Sequence, residues 1–333
     1  MQRIIRAGGT PFEIGRSLGR LVGGSLAEII DRYIAGGPSR FGTIDTDRLH
    51  RETMTWFDRL PERFQQEMLG VAEGSGVPIR RIAEWTYVEA CTDLGCSSFM
   101  IRDTVNRVWV GRSNDLWSPK VWGYAIIRDY AERVPTLCFG MPGESFSATG
   151  INRSRLWLHY HFLPPQDPPL ESGHFEFIWM TDALETCVSL GDVEDQLRAI
   201  PRRGSMLLFA VDGKTDDRAV YECETSSFRR LDDPHPWIAG TNHRRSETTP
   251  SESSRSRLQQ LEHRLHEIPR QRISSPDPLI DILADPQVEQ RQSGYGTVYA
   301  NVACPASGEI HYTLGGFPAA SQGAWTHIEW PWD

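Results

Sequence analysis

Apolar and polar positions recur along this chain in two rhythms, and the change between them falls near residue 95. Before it, apolar residues return at three- and four-residue steps. Ile14, Leu18, Leu21, Val22, Ile29 and Ile30 fall on one side of a helix expected from Pro11 to Tyr33. Asp45, Thr46 or Asp47 is placed to cap a second helix running to about Val71, with Trp56, Phe57, Leu60, Phe64 and Met68 inward. Gly74 to Pro78 reads as a turn, and Ile79 to about Cys91 as a third, shorter helical segment.

From Cys96 onward short β-like runs dominate. Ser97 to Arg102 and Arg107 to Ser113 are joined by a turn at Asp103 to Asn106. Tyr124 to Ile127, Thr136 to Gly140, Leu156 to Phe162, Met206 to Val211, Ala219 to Glu224 and Trp237 to Thr241 follow as strands. Thr297 to Ala303 and Glu309 to Leu314 make a final pair. Helices are expected over Phe175 to Cys187, Val193 to Ile200 and Ser254 to Leu265. Runs of strands flanked by runs of helices imply sheets layered between helices.

Composition narrows the chemistry. The chain has 333 residues, 39% hydrophobic and 24% charged, with a net charge of −9. That is ordinary globular composition. No basic stripe marks a nucleic-acid partner. Its only lysines are Lys120 and Lys214, which leaves little room for a Schiff-base lysine. No run of 18 apolar residues suits a membrane span, and the first residues carry no secretory h-region, so a cytoplasmic protein is expected. Cys91, Cys96, Cys138, Cys187, Cys223 and Cys304 are scattered without a paired spacing. They read as reduced thiols, with no metal and no cofactor implied.

One thiol stands apart: Cys96, which follows Gly95 and opens a strand. A buried cysteine is ordinarily an inert small hydrophobe. As a nucleophile it needs a base, and His159 or His243 could serve, though neither is marked by spacing. Cleavage of the Gly95–Cys96 bond offers another route. It would give Cys96 an α-amine with a pKa of about 7.7–8.0, a base on the same residue as the thiol. Glycine leaves the attacked carbonyl unobstructed. If residues 96–100 pair with 109–113, Asp115 is placed to hold the amine, and Arg112 to favour thiolate by charge.

These residues resemble the acyl-CoA:6-aminopenicillanate acyltransferase family and, more distantly, choloylglycine hydrolases and penicillin V acylases. Gly9-Thr10-Pro11-Phe12-Glu13-Ile14-Gly15 with Gly19, the stretch Glu67 to Gly76, and Gly95-Cys96-Ser97-Ser98-Phe99 look like that family's opening helix, second helix and processing site. The resemblance implies an α+β fold, a four-layer αββα N-terminal-nucleophile hydrolase sandwich. It implies autocleavage at Gly95–Cys96 into a mostly helical segment 1–95 and a catalytic segment 96–333 that stay together. It implies Cys96 as nucleophile with Arg112 and Asp115 beside it. Gly150-Ile151-Asn152 is similar to a segment whose asparagine helps form the oxyanion hole through its backbone, and Thr241-Asn242-His243 to one whose side-chain amide supplies the other donor. Ser254-Arg255-Ser256-Arg257-Leu258 resembles a helix start bringing a second arginine, placed at Arg257 rather than Arg255. Arg155 stands where relatives often have glycine.

The expected function is a cysteine amidohydrolase acting on a linear amide of a small N-acyl compound through an acyl-thioester on Cys96. Hydrolysis is favoured over CoA-dependent transfer because no phosphate loop is present and the arginine pairs Arg202-Arg203 and Arg244-Arg245 are short. Trp157 to His161, Trp325, Trp330 and Trp332 are expected to wall a restricted cavity. The alternatives are an acyltransferase using a CoA or amide donor, a conventional cysteine–histidine hydrolase, and an uncleaved non-catalytic binding protein. A homo-oligomer is compatible with all of them.

Overall fold

A computed structural model describes residues 3–36, 46–90, 95–232, 235–273 and 275–332. Strand β1 (Ile4–Gly9), which the apolar rhythm does not reveal, comes first. The helices α1 (Pro11–Val22), α2 (Ser25–Gly36), α3 (Thr46–Phe57), α4 (Glu62–Ser75) and α5 (Ile79–Ala90) follow. The helix expected from Pro11 to Tyr33 is in fact two. Gly23 closes α1 at φ 55°, a backbone that only glycine adopts without strain. The helix expected to reach Val71 is also two, because Pro61 has no N–H to extend α3 and instead stands just before α4. Asp45 lies outside the described residues.

The first two motifs of the sequence meet at the crossing of α1 with α4. A Cβ on Gly15 would lie 2.0 Å from the Glu67 carbonyl oxygen, and one on Gly70 2.1 Å from that of Phe12. The helices touch backbone to backbone, which a side chain at either position would prevent.

The rest of the chain is mainly strand. In order come β2 (Gly95–Arg102), β3 (Val108–Trp117), β4 (Tyr124–Tyr130), β5 (Thr136–Gly140), β6 (Thr149–Asn152) and β7 (Leu156–Leu163). Helices α6 (Glu176–Thr186) and α7 (Leu190–Ala199) precede β8 (Ser205–Asp212), β9 (Asp217–Cys223), β10 (Phe228–Arg230) and β11 (Trp237–Gly240). Then come α8 (Glu252–Glu267), α9 (Asp277–Leu283), β12 (Arg291–Gln292), β13 (Tyr295–Cys304) and β14 (Glu309–Leu314). Last are α10 (Ala319–Gln322) and β15 (Ala324–Ile328).

Two sheets form. The first runs β1-β4-β5-β6-β7-β8-β9-β10, and the second β11-β2-β3-β13-β14-β15 with β12 attached to β13. They face each other. Helices α1, α6 and α7 cover the outer face of the first sheet, and α8, α9 and α10 that of the second. This is the expected four-layer αββα sandwich. Phe99, Ile101, Trp109 and Val302 pack against Leu261, Leu265 and Ile282 in the outer core beneath α8 and α9. Each such buried side chain contributes about 1.5–3 kcal/mol. Among the described residues, no helix is long and apolar enough to cross a membrane.

Candidate active site

Alternation along β2 creates two faces. Cys96, Ser98 and Met100 point toward the other sheet, and Ser97, Phe99 and Ile101 toward α8 and α9. The pairing of 96–100 with 109–113 is out by one residue. Cys96 lies opposite Asn114, Ser98 opposite Arg112, and Gly95 opposite Asp115. A one-residue shift exchanges the faces of a strand. Arg112 and Asn114 therefore share the face of Cys96, and Asp115 shares that of Ser97.

The thiol is fully buried. Arg112 Nη2 donates to its Sγ at 3.5 Å and to Asn114 Oδ1 at 2.8 Å, while Nη1 donates to the Tyr160 carbonyl at 2.7 Å. The thiol itself donates to Asn114 Oδ1 at 3.5 Å. The Cys96 N–H donates to Asn242 Oδ1 at 2.8 Å. Arg257 reaches the same peptide from α8, donating to the Cys96 carbonyl at 2.5 Å, Ser97 Oγ at 2.7 Å and Asn242 Oδ1 at 3.1 Å. It lies 3.7 Å from Asp115 Oδ2. Asp115 Oδ1 accepts from Thr297 Oγ1 at 2.7 Å, and its buried Oδ2 has no hydrogen-bond donor among the described residues.

Gly95 sits in a slot that admits no side chain. A Cβ there would lie 2.4 Å from Tyr295 Oη and 2.9 Å from Asp115 Cβ. The glycine is thus required by the walls around it, beyond any ease of attack on its carbonyl.

Burial pushes the Cys96 thiol up to about 11, against the pull of Arg112, with Asp115 raising it and Arg257 and Asn242 lowering it. Arg112 acts in the direction expected from the sequence, but desolvation outweighs it and favours the neutral thiol. Burial also raises the Asp115 carboxyl, opposed by Arg257, Thr297 and Arg112.

Of the residues singled out in the sequence, Gly95, Cys96, Arg112, Asp115, Asn242 and Arg257 come together. Arg255 is exposed, whereas Ser254, Arg257, Leu261 and Leu265 form the buried side of α8. Asn242 presents its oxygen to the Cys96 N–H, and its Nδ2 donates to the Phe162 carbonyl at 3.1 Å. It therefore holds the nitrogen of the Gly95–Cys96 peptide. The side chain of Asn152 is turned away from the cluster. Its Nδ2 donates to the Leu184 and Cys187 carbonyls at 2.9 and 2.8 Å, its Oδ1 accepts from Ser154 and Leu156, and its backbone lies opposite Thr136 in the ladder. It ties β6 to the end of α6.

The late tryptophans are also elsewhere. Trp325 donates to the Ala320 carbonyl, Trp332 to Asp129, and Trp330 lies under the Arg155 guanidinium. Trp157, His159 and His161 are fully buried between the sheets rather than lining an opening. A cleft of about 1070 Å³ lies between α3, α5 and residues 171–178, lined by Trp56, Tyr87, Phe175, Arg51 and Arg59 among others, but Cys96 does not open into it. Asn114, Thr297 and Tyr295 are site neighbours that the sequence did not mark. Register could have found Asn114, but β13 lies some 180 residues away in the chain.

No family model matches the chain, and no curated protein does. Solved structures of similar shape exist. One is an N-acylethanolamine-hydrolyzing acid amidase ortholog of Caenorhabditis elegans, with 14% identity over 63% of this chain and 93% of that one, TM-score 0.45. Another is penicillin V acylase from Agrobacterium tumefaciens, with 12% identity over 70% and 86%, TM-score 0.46. A third is a mutant conjugated bile acid hydrolase from Clostridium perfringens, with 10% identity over 70% and 96%, TM-score 0.44.

Proposed function

We propose that this chain is an autoprocessed N-terminal-nucleophile cysteine amidohydrolase similar to the acyl-CoA:6-aminopenicillanate acyltransferase family. It cuts itself between Gly95 and Cys96 and then hydrolyses a linear amide of a small N-acyl compound. The observation that carries this reading is Asp115 Oδ2, buried opposite Gly95 beside the Cys96 peptide, which faces Arg257 at 3.7 Å but accepts no hydrogen bond among the described residues. A buried carboxylate oxygen without a donor is costly, and a free α-amine on Cys96 would supply the missing donor.

In the first reaction the thiol loses its proton and Sγ bonds to the Gly95 carbonyl carbon. The C–N bond breaks and the Cys96 nitrogen takes up a proton. Water hydrolyses the resulting thioester, leaving the Gly95 carboxylate, a free thiol and a free amine. In each later turnover the amine takes the thiol proton, Sγ adds to the substrate carbonyl, and the leaving amine receives the proton. Water then resolves the acyl-thioester to the free acid. Arg112 lies next to the sulfur, and Asn242 and Arg257 hold the Cys96 backbone.

An uncleaved cysteine–histidine hydrolase is disfavoured because His159 and His161 have both ring nitrogens engaged away from the sulfur. CoA-dependent transfer is disfavoured by the arginine pairs. Arg202 is spent on the carbonyls of Leu197, Ile200, Glu224 and Ser227, and Arg244 on Glu224. The test is the intact mass of purified protein, followed by assay against a panel of N-acyl amides with and without amine acceptors. Two pieces, 1–95 and 96–333, and free acid in both assays are expected, with Cys96→Ala a single inactive chain. A single active chain would overturn the reading. Product formed only with an acyl-CoA and an amine would replace hydrolysis by transfer.

A further inference from the structure

Behind the thiol, four side chains link the two sheets in a row. Trp157 Nε1 donates to His159 Nδ1 at 2.9 Å, and His159 Nε2 meets Ser98 Oγ at 2.9 Å. Ser98 Oγ meets His161 Nε2 at 2.7 Å, and His161 Nδ1 meets the Thr241 carbonyl at 2.9 Å. The two ends fix every proton between them. An indole N–H can only donate, so His159 Nδ1 is bare and its proton sits on Nε2, directed at Ser98. A carbonyl can only accept, so His161 carries its proton on Nδ1 and its bare Nε2 takes the Ser98 hydroxyl. All four bonds run one way, from Trp157 to Thr241.

The row ends at the residue before Asn242, whose amide holds the Cys96 nitrogen. Phe209 supports the same corner from β8. Its ring stacks on His159 at 4.7 Å and lies 5.0 Å from His161, and a Cβ on Gly240 would come within 2.7 Å of it. On the other side Thr241 Oγ1 and the Asn242 N–H each bond Ser254 of α8 at 2.9 Å. Burial, with Arg112 nearby, holds both imidazoles well below their ordinary pKa and keeps them neutral, as the directionality requires.

We propose that Trp157, His159, Ser98 and His161 are positioning residues, a one-directional hydrogen-bond chain that seats the Thr241–Asn242 corner against Cys96. The proposal rests on the amidohydrolase reading for its kinetic consequences but not for its geometry. A displacement near 1 Å at such a corner is enough to cost about 100-fold in rate.

Three variants of the full-length protein separate positioning from packing. His161→Phe keeps a ring against Phe209 but loses the donor to Thr241. His161→Asn loses the ring but keeps an N–H near the Nδ1 position. Ser98→Ala cuts the row with almost no change of volume. His161→Phe is expected to lower kcat at least about tenfold with KM nearly unchanged, Ser98→Ala to lower it about fivefold, and His161→Asn to stay within about threefold of wild type. Equal loss in Phe and Asn, or a Phe variant that works like wild type, would overturn the proposal. Nitrogen-15 NMR of histidine-labelled wild type supplies a readout independent of activity. It should show His161 protonated on Nδ1 and His159 on Nε2. The opposite tautomer at either residue sinks the proposal even if every variant misfolds. A wild type that is uncleaved and inactive, yet shows these tautomers, would overturn the function and leave the row standing.

Discussion

Asp115 and Gly95 together define what the site demands of single residues. The Asp115 carboxylate keeps one buried oxygen without a donor among the described residues, and burial raises its pKa. Asp115→Asn in protein already cleaved should therefore lose about 100-fold in kcat, within the range of acid–base effects, while its melting temperature does not fall. A variant with normal turnover would leave the residue a structural role only. Gly95→Ala should process at least about tenfold more slowly, because the added methyl meets Tyr295 Oη and Asp115 Cβ. Adding Tyr295→Phe removes the nearer obstacle and should restore part of the rate, read as the fraction of two-piece protein over time. The neutral thiol gives processing a pH dependence. With its pKa at about 11, the thiolate fraction rises with pH throughout the working range. Precursor translated in vitro at low pH and moved to higher pH should cleave about tenfold faster per unit. A flat profile would mean that the thiolate is not the attacking species.

At the scale of elements, α8 shows why one arginine is chosen over its neighbour. Ser254, Arg257, Leu261 and Leu265 fall on one side at helical spacing, which leaves Arg255 to solvent. Arg257→Ala should cut kcat about 100-fold or more by releasing the Cys96 carbonyl and the Asn242 amide, whereas Arg255→Ala should match wild type in the same assay. The resemblance favoured Arg257, and the buried side of α8 agrees with that choice. Strand β6 was not legible. Thr149-Gly150-Ile151-Asn152 is too short and too mixed to alternate, and it is a strand because β5 and β7 flank it. Strand β1 is likewise made by parallel pairing with β4, more than 100 residues away. Arg155 adopts φ 61° and is tethered by hydrogen bonds to the carbonyls of Pro305 and Ala306. A non-glycine residue in that region is strained by about 1–3 kcal/mol, which the tether offsets.

Across the whole molecule, the segments before and after Gly95 are bound by more than surface contact. Strand β1 is an integral edge of the eight-stranded sheet. Arg63 and Glu67 of α4 form a buried ionic cluster with Arg128, Tyr130 and Glu185 from beyond the proposed cut. After cleavage the two pieces should co-elute in gel filtration and separate only in denaturant. Removing one member leaves a buried charge unpaired, so Glu67→Ala should lower the stability to urea by about 3–5 kcal/mol. Separation of the pieces in native buffer would show that the cluster and the β1 ladder do not hold them.

The sequence by itself determined the alternation of helical and extended segments and the Gly95-Cys96 junction, each written in local spacing or in neighbouring residues, while Arg257 over Arg255 came from the resemblance. Tertiary structure decided the rest. The one-residue offset between β2 and β3 put Asn114 and Arg112, rather than Asp115, on the face of the thiol. Strand β13 brought Thr297 to Asp115 and Tyr295 to Gly95 from the far end of the chain. The motif around Asn152 implied a backbone role, and only the fold shows that its side chain is held by the end of α6. Register and long-range pairing are set by how two sheets bury their shared faces, and no stretch of neighbouring residues carries that information.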